Sequence, residues 1–189
     1  MRRVIFALAV LVLSAGTALA ATAQAPVSSQ SFKAWRLDCY PPPPKVTEGV
    51  GTFETEIVPR SSCQMEQAIR LQSDRNKVAA VVRVRLSGPQ LRPFLLVLLP
   101  PTVESGFGLT LAIDEQEPLK IRIRECNARE CVAALSLDDD DRLDALRRGN
   151  HLIIAFKVGA TNLATQVALD GFATAYGRLE AAGAGPAAN

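Results

Sequence analysis

From Phe107 to Ile113 the side chains alternate strictly, with Phe107, Leu109, Leu111 and Ile113 pointing one way and Gly108, Thr110 and Ala112 the other. Period two is the signature of a half-buried β-strand. A turn-like run, Asp114-Glu115-Gln116-Glu117-Pro118, follows. Alternation then resumes as Leu119, Ile121 and Ile123 against Lys120, Arg122 and Arg124, which predicts a hairpin with one buried and one wet face. Similar short runs predict strands at Trp35-Leu37-Cys39, Phe53 to Val58, Cys63 to Leu71 and Val78 to Leu86. Others are expected at Phe94 to Leu99, Cys131 to Leu137, Leu152 to Val158 and Leu163 to Leu169. About ten short strands separated by turns, instead of alternating strand and helix units, predict an all-β fold, an antiparallel β-sandwich.

Two segments depart from period two. Arg142 to Arg148 carries Leu143 and Leu146 at helical spacing, with aspartates before it and Gly149 after it, which predicts one or two helical turns. Asp170-Gly171 opens a second helix, on which Phe172, Tyr176 and Leu179 recur at i, i+4 and i+7. Pro41 to Pro44 begins a stiff, extended connection that no sheet interior accepts. Ala181 to Asn189 is Ala-, Gly- and Pro-rich and reads as a flexible tail. Residues 24–180 are left as a single sandwich domain, within the usual domain size.

The chain's start changes the compartment. Arg2-Arg3 followed by the apolar run Val4 to Leu13 and then small residues reads as a secretory signal peptide over residues 1–23. Cleavage follows Ala18-Leu19-Ala20 or Ala21-Thr22-Ala23, and the run is too short to span a membrane as a helix. Removing those two arginines from 21 basic residues leaves 19 against 19 acidic ones. A mature chain without net charge has no long-range field for nucleic acid, so no nucleic-acid partner is expected. One Trp and two Tyr are too few for the two aromatic girdles of an outer-membrane barrel.

Four cysteines, Cys39, Cys63, Cys126 and Cys131, follow the signal, and an even count in an exported chain predicts disulfides. Three pairings are open; proximity along the chain favours Cys39 with Cys63 and Cys126 with Cys131. A zinc site fits poorly, because four residues separate Cys126 from Cys131, no C-x-x-C spacing occurs and His151 is the sole histidine. No metal and no cofactor are expected. The aspartates Asp138 to Asp141 lack the glycine and terminal glutamate of an EF-hand, so they read as a solvated helix start. His151 has no nucleophile elbow with it, and no catalytic residue is assigned. Trp35, alternating with Leu37 and Cys39, belongs in the core. Arg83 and Arg85 on one strand, with Lys120, Arg122 and Arg124 on another, form a candidate basic binding face if the two stripes are neighbours.

Taken in order, Trp35-x-x-x-Cys39, Cys63-x-Met65-x-Gln67, Leu99-Pro100, Leu111-x-Ile113-Asp114, Cys126-x-x-x-x-Cys131, Leu143-x-x-Leu146-x-x-Gly149 and Gly171-Phe172-x-x-Ala175 resemble the invasion-associated locus B family. The connection from Pro41 to Ser62 is long for that pattern, and Glu130 stands where a glycine often precedes the second cysteine of the short pair. The resemblance implies an exported, disulfide-bonded β-sandwich of a Gram-negative bacterium, periplasmic or associated with the outer membrane. It also implies a link to host-cell invasion in pathogens. It supplies no catalytic residues, and the four cysteines transfer as structural positions only. The expected function is therefore non-enzymatic: docking of a protein or envelope component. The alternative is a small-molecule or lipid-binding module whose apolar pocket is enclosed by Phe94 to Leu99 and Phe107 to Ile113.

Overall fold

Val82, Val84 and Leu86 are buried while Arg83 and Arg85 between them are not, and the same alternation organises two sheets facing each other across one core. A computed structural model describes residues 25–41, 59–71 and 74–184. In chain order the strands are β1 (Ser28–Phe32), β2 (Trp35–Cys39), β3 (Pro59–Arg70), β4 (Val78–Ser87), β5 (Arg92–Leu99) and β6 (Leu109–Ile113). They continue as β7 (Leu119–Ile121), β8 (Ile123–Cys126), β9 (Cys131–Ser136), β10 (His151–Val158) and β11 (Thr161–Ala168). Helix α1 (Asp140–Arg148) precedes β10, and α2 (Phe172–Gly183) follows β11. A seven-stranded sheet runs β1-β2-β3-β4-β5-β9-β8 and a four-stranded sheet runs β11-β10-β6-β7. Every strand pairing is antiparallel.

Leu95, Val97 and Leu99 of β5 share one core cluster with Leu109 and Leu111 of β6 and Leu152, Ile154 and Phe156 of β10. The smaller sheet does not reach across the larger one. Helix α2 fills the remainder, packing on β1 to β4 through Phe172, Ala175, Tyr176 and Leu179. The Phe172 ring meets Trp35 edge-on at 5.1 Å and stacks on Tyr176 at 6.0 Å; burying a side chain of this class contributes roughly 1.5 to 3 kcal/mol. Burial also pushes the Tyr176 phenol up to about 12. At the start of α1 the Asp139 carboxylate accepts from the Asp141 N–H, and Arg147 and Arg148 lie in the last turn, so both ends suit the helix dipole.

The sandwich and both helices match the sequence reading, with four corrections. The strand expected from Leu119 to Arg124 is two strands: β7 pairs with β6, whereas β8 pairs with β9 in the other sheet, so the chain changes sheets at Arg122. Phe107 does not point into the core. Gly108, at φ +75°, ends the alternation before β6 begins, and Phe107 is 43% exposed, its ring 5.0 Å from the Lys120 ammonium. The tail expected from Ala181 is helical as far as Gly183. The polar strand β1 was not anticipated. The signal segment, most of the Pro41 to Pro44 run, the strand expected at Phe53 to Val58 and the last five residues lie outside the described residues.

Both disulfides follow proximity along the chain, Cys39 with Cys63 and Cys126 with Cys131. Each joins directly opposed residues of neighbouring strands, β2 with β3 and β8 with β9.

Candidate functional site

The two basic stripes do not merge. Arg83 and Arg85 lie together on the outer face of the larger sheet, but Lys120 is in the smaller sheet, Arg122 is at the crossing, and β5 and β9 separate Arg124 on β8 from β4. The β4 pair is also engaged within the sheet. Arg83 donates two hydrogen bonds to one Glu66 oxygen, at 3.1 and 2.9 Å, and Arg36 binds the other at 2.7 Å. Arg36 in turn holds Asp38, a carboxylate 2% exposed that also accepts from the Ser29 hydroxyl at 2.6 Å. The bond to Asp38 raises the Arg36 pKa. Arg85 donates its Nε–H to the Gln64 carbonyl at 2.8 Å and a second N–H to the same oxygen. Burial, and then the positive charge of Arg83, lower the Arg85 pKa. These residues form a cross-strand lattice running β1-β2-β3-β4, in which Arg36 and Arg83 are ion-paired with Asp38 and Glu66 and Arg85 is hydrogen-bonded to the neutral Gln64.

The other singled-out residues have structural places. Trp35 is buried, and its indole N–H donates to the Ala168 carbonyl at 3.0 Å. His151 opens β10 with an exposed side chain, and its backbone N–H donates to the Asp114 carboxylate at 2.9 Å. Asp114 accepts from the Asn150 N–H as well, and these two backbone donors lower its pKa. Among the described residues no three His, Cys, Asp or Glu side chains gather as a metal site.

Four strands end the two sheets, and one of them differs from the rest. β7 has three residues with Lys120 at its centre; β8 has four, with Arg124, Glu125, a bulge and the Cys126 bridge. β1 is a polar five-residue strand. β11 runs for eight residues, Thr-Asn-Leu-Ala-Thr-Gln-Val-Ala, without a charge or a proline. Lysine, proline, bulges and shortness are the usual means of blocking an edge, and β11 has none of them.

Its C-terminal end is sealed. Gln67 donates to the Ala168 carbonyl at 3.0 Å and accepts from the Ala168 N–H at 3.1 Å. Alternate residues of an antiparallel strand turn their backbone groups to the same side. Ala168 turns its groups away from β10, so Gln166, Ala164 and Asn162 do the same, and among the described residues this stretch is without a neighbouring strand. Beside it runs a groove of about 740 Å³ lined by Ile69, Leu71 and Ala79 of one layer and by Phe156 and Leu163 of the other, with Arg70 at its side. Leu163 is 36% exposed. No sequence signal singled out this edge, because strand order is a tertiary property; the uncharged composition of Thr161 to Ala168 was the available clue.

At the opposite edge of the smaller sheet, Leu95 and Leu111 line an apolar pocket, joining the two segments expected to enclose one. Phe107 is not part of it.

The family model described as invasion associated locus B (IalB) protein matches residues 47–180. No curated protein matches the chain. A solved structure, invasion associated protein b from Bartonella henselae, superposes with a TM-score of 0.61 at 22% identity, covering 82% of this chain and 96% of that one.

Proposed function

The chain belongs to the invasion associated locus B family, and from that premise we propose an exported, non-enzymatic protein of a Gram-negative envelope that docks a protein partner by strand addition to β11. It works in the periplasm or at the outer membrane. The observation that carries this reading is the unblocked edge at Asn162, Ala164 and Gln166, placed over an apolar groove. A strand laid there gains main-chain hydrogen bonds worth about 0.5 to 1.5 kcal/mol each, and its alternate side chains enter the groove. The partner segment is extended and apolar at every second position. An acidic residue beside Arg70 completes the fit. The printed name of the Bartonella protein associates it with invasion; for this chain, host-cell invasion is one setting in which such docking operates.

The test is site-specific photo-crosslinking in cells that make the protein. A photoreactive residue at Ala164 captures a partner that one at Ala68, exposed on the outer face of the larger sheet, does not, and Gln166→Lys weakens the capture. Equal capture from both positions, or capture from Ala68 alone, contradicts strand addition.

A further inference from the structure

Independently of the β11 edge, we infer that the pocket at the β6–β7 edge of the smaller sheet is a binding site for an aliphatic acyl chain carrying an anionic head. The pocket exists because of how the chain leaves the smaller sheet. β7 is only three residues long, and after Arg122 the backbone passes to β8 in the larger sheet, so among the described residues no strand closes the gap between the layers beyond β7. The turn through Gln116, Glu117 and Pro118 forms one wall of the resulting space of about 370 Å³. This volume is at the lower end of the range for small-molecule sites.

Its lining specifies the ligand. Seven side chains are aliphatic, Leu95, Leu111, Ile113, Leu119, Leu135, Leu146 and Leu152, and no aromatic ring is among them. That surface offers no stacking partner for a planar ring and suits a flexible hydrocarbon chain. Polarity is confined to Gln116, Glu117 and Arg142. Arg142 is the cation of the set. Its other contacts are long, 3.3 Å to the Ser136 carbonyl and 3.5 Å to Asp139, which leaves guanidinium N–H groups for a carboxylate or phosphate. Glu117 opposes that anion, so the two charges act in opposite senses and make the head-group assignment separable from the chain assignment.

The probes are octanoate, decanoate and dodecanoate, with decanol as the uncharged counterpart, titrated below their aggregation concentrations into the mature protein and followed by methyl NMR. The expected result is saturable binding that tightens about fourfold per added methylene until the pocket is full, with shifts in the Leu and Ile methyls of the lining. Arg142→Gln brings decanoate down to the affinity of decanol, and Glu117→Gln tightens decanoate. Leu119→Trp, which fills the pocket from a half-buried position, removes binding; the chain-length series on the unaltered protein stands even if that variant folds poorly. Absence of saturable binding, an affinity independent of chain length, or shifts centred on the β11 groove overturn the site. Unchanged decanoate binding in Arg142→Gln overturns the anionic head. Neither result touches strand addition at β11, which is read on different residues at the other edge.

Discussion

The side-chain amide of Gln67 pairs with both backbone groups of Ala168, at 3.0 and 3.1 Å, and so ties β3 of the larger sheet to the last residue of β11 in the smaller one. Gln67 also donates to the Ala34 carbonyl. Together with the Trp35 indole N–H on the same Ala168 carbonyl, Gln67 marks where the two layers meet and where the β11 edge stops being available.

Gln67→Ala removes these bonds and leaves the half-buried Ala168 N–H unpaired, while the Ala168 carbonyl keeps the Trp35 indole N–H, a loss of about 2 kcal/mol. Chemical denaturation measures it, and amide exchange at Ala168 becomes faster. A change below about 0.5 kcal/mol places the tie elsewhere.

The disulfides stabilise unequally, because the bridged residues are 24 apart in one and 5 apart in the other. On a chain-entropy basis the Cys39–Cys63 bridge is worth about 3 kcal/mol and the Cys126–Cys131 bridge about 2. Denaturation of Cys39→Ser/Cys63→Ser beside Cys126→Ser/Cys131→Ser checks the order; a larger loss from the short bridge contradicts it.

Gly171, at φ +89°, lies so close to the Phe32 carbonyl that an added Cβ would approach its oxygen to 2.2 Å. Gly171→Ala therefore combines backbone strain with a collision against β1, and a loss of at least 2 kcal/mol is expected. Thermal unfolding reads it, and near-wild-type stability contradicts the placement of α2 against β1.

The Asp114 carboxylate, held by the Asn150 and His151 N–H groups, has a lowered pKa. Its contribution is present above the unfolded-state value of about 3.9 and is lost as pH falls through the lower folded value. Asp114→Asn keeps a residue tolerant of the observed φ of +48° and removes the titration. The variant's stability accordingly falls less steeply in that acid range than the parent's. Parallel pH profiles contradict the assignment.

Period two was read correctly wherever one face of a strand is buried, as along Val78 to Leu86 and Leu152 to Val158. It failed at β1, where Ser28 to Ser31 are exposed and only the ladder to β2 makes a strand. It failed again at Arg122, because alternation continues unbroken through a change of sheet. The candidate basic face failed for a related reason: neighbours in sequence pattern are neighbours in space only if strand order makes them so, and β5 and β9 intervene. Gln67 stood in the recognised motif, yet its role needed the position of Ala168, about a hundred residues away. The leucine pocket was legible as far as two of its walls, Leu95 and Leu111, whereas the helix and turn that complete it, and the open side of β11, depend on how the elements pack.

Hydrogen exchange at the backbone amides of Asn162, Ala164 and Gln166, in the free protein and with the captured partner bound, tests strand addition most directly. All three exchange quickly in the free protein and slow together in the complex, while Ala168 is protected in both states. Unchanged exchange at these amides on partner binding, or slowing confined to the outer face of the larger sheet, would contradict it.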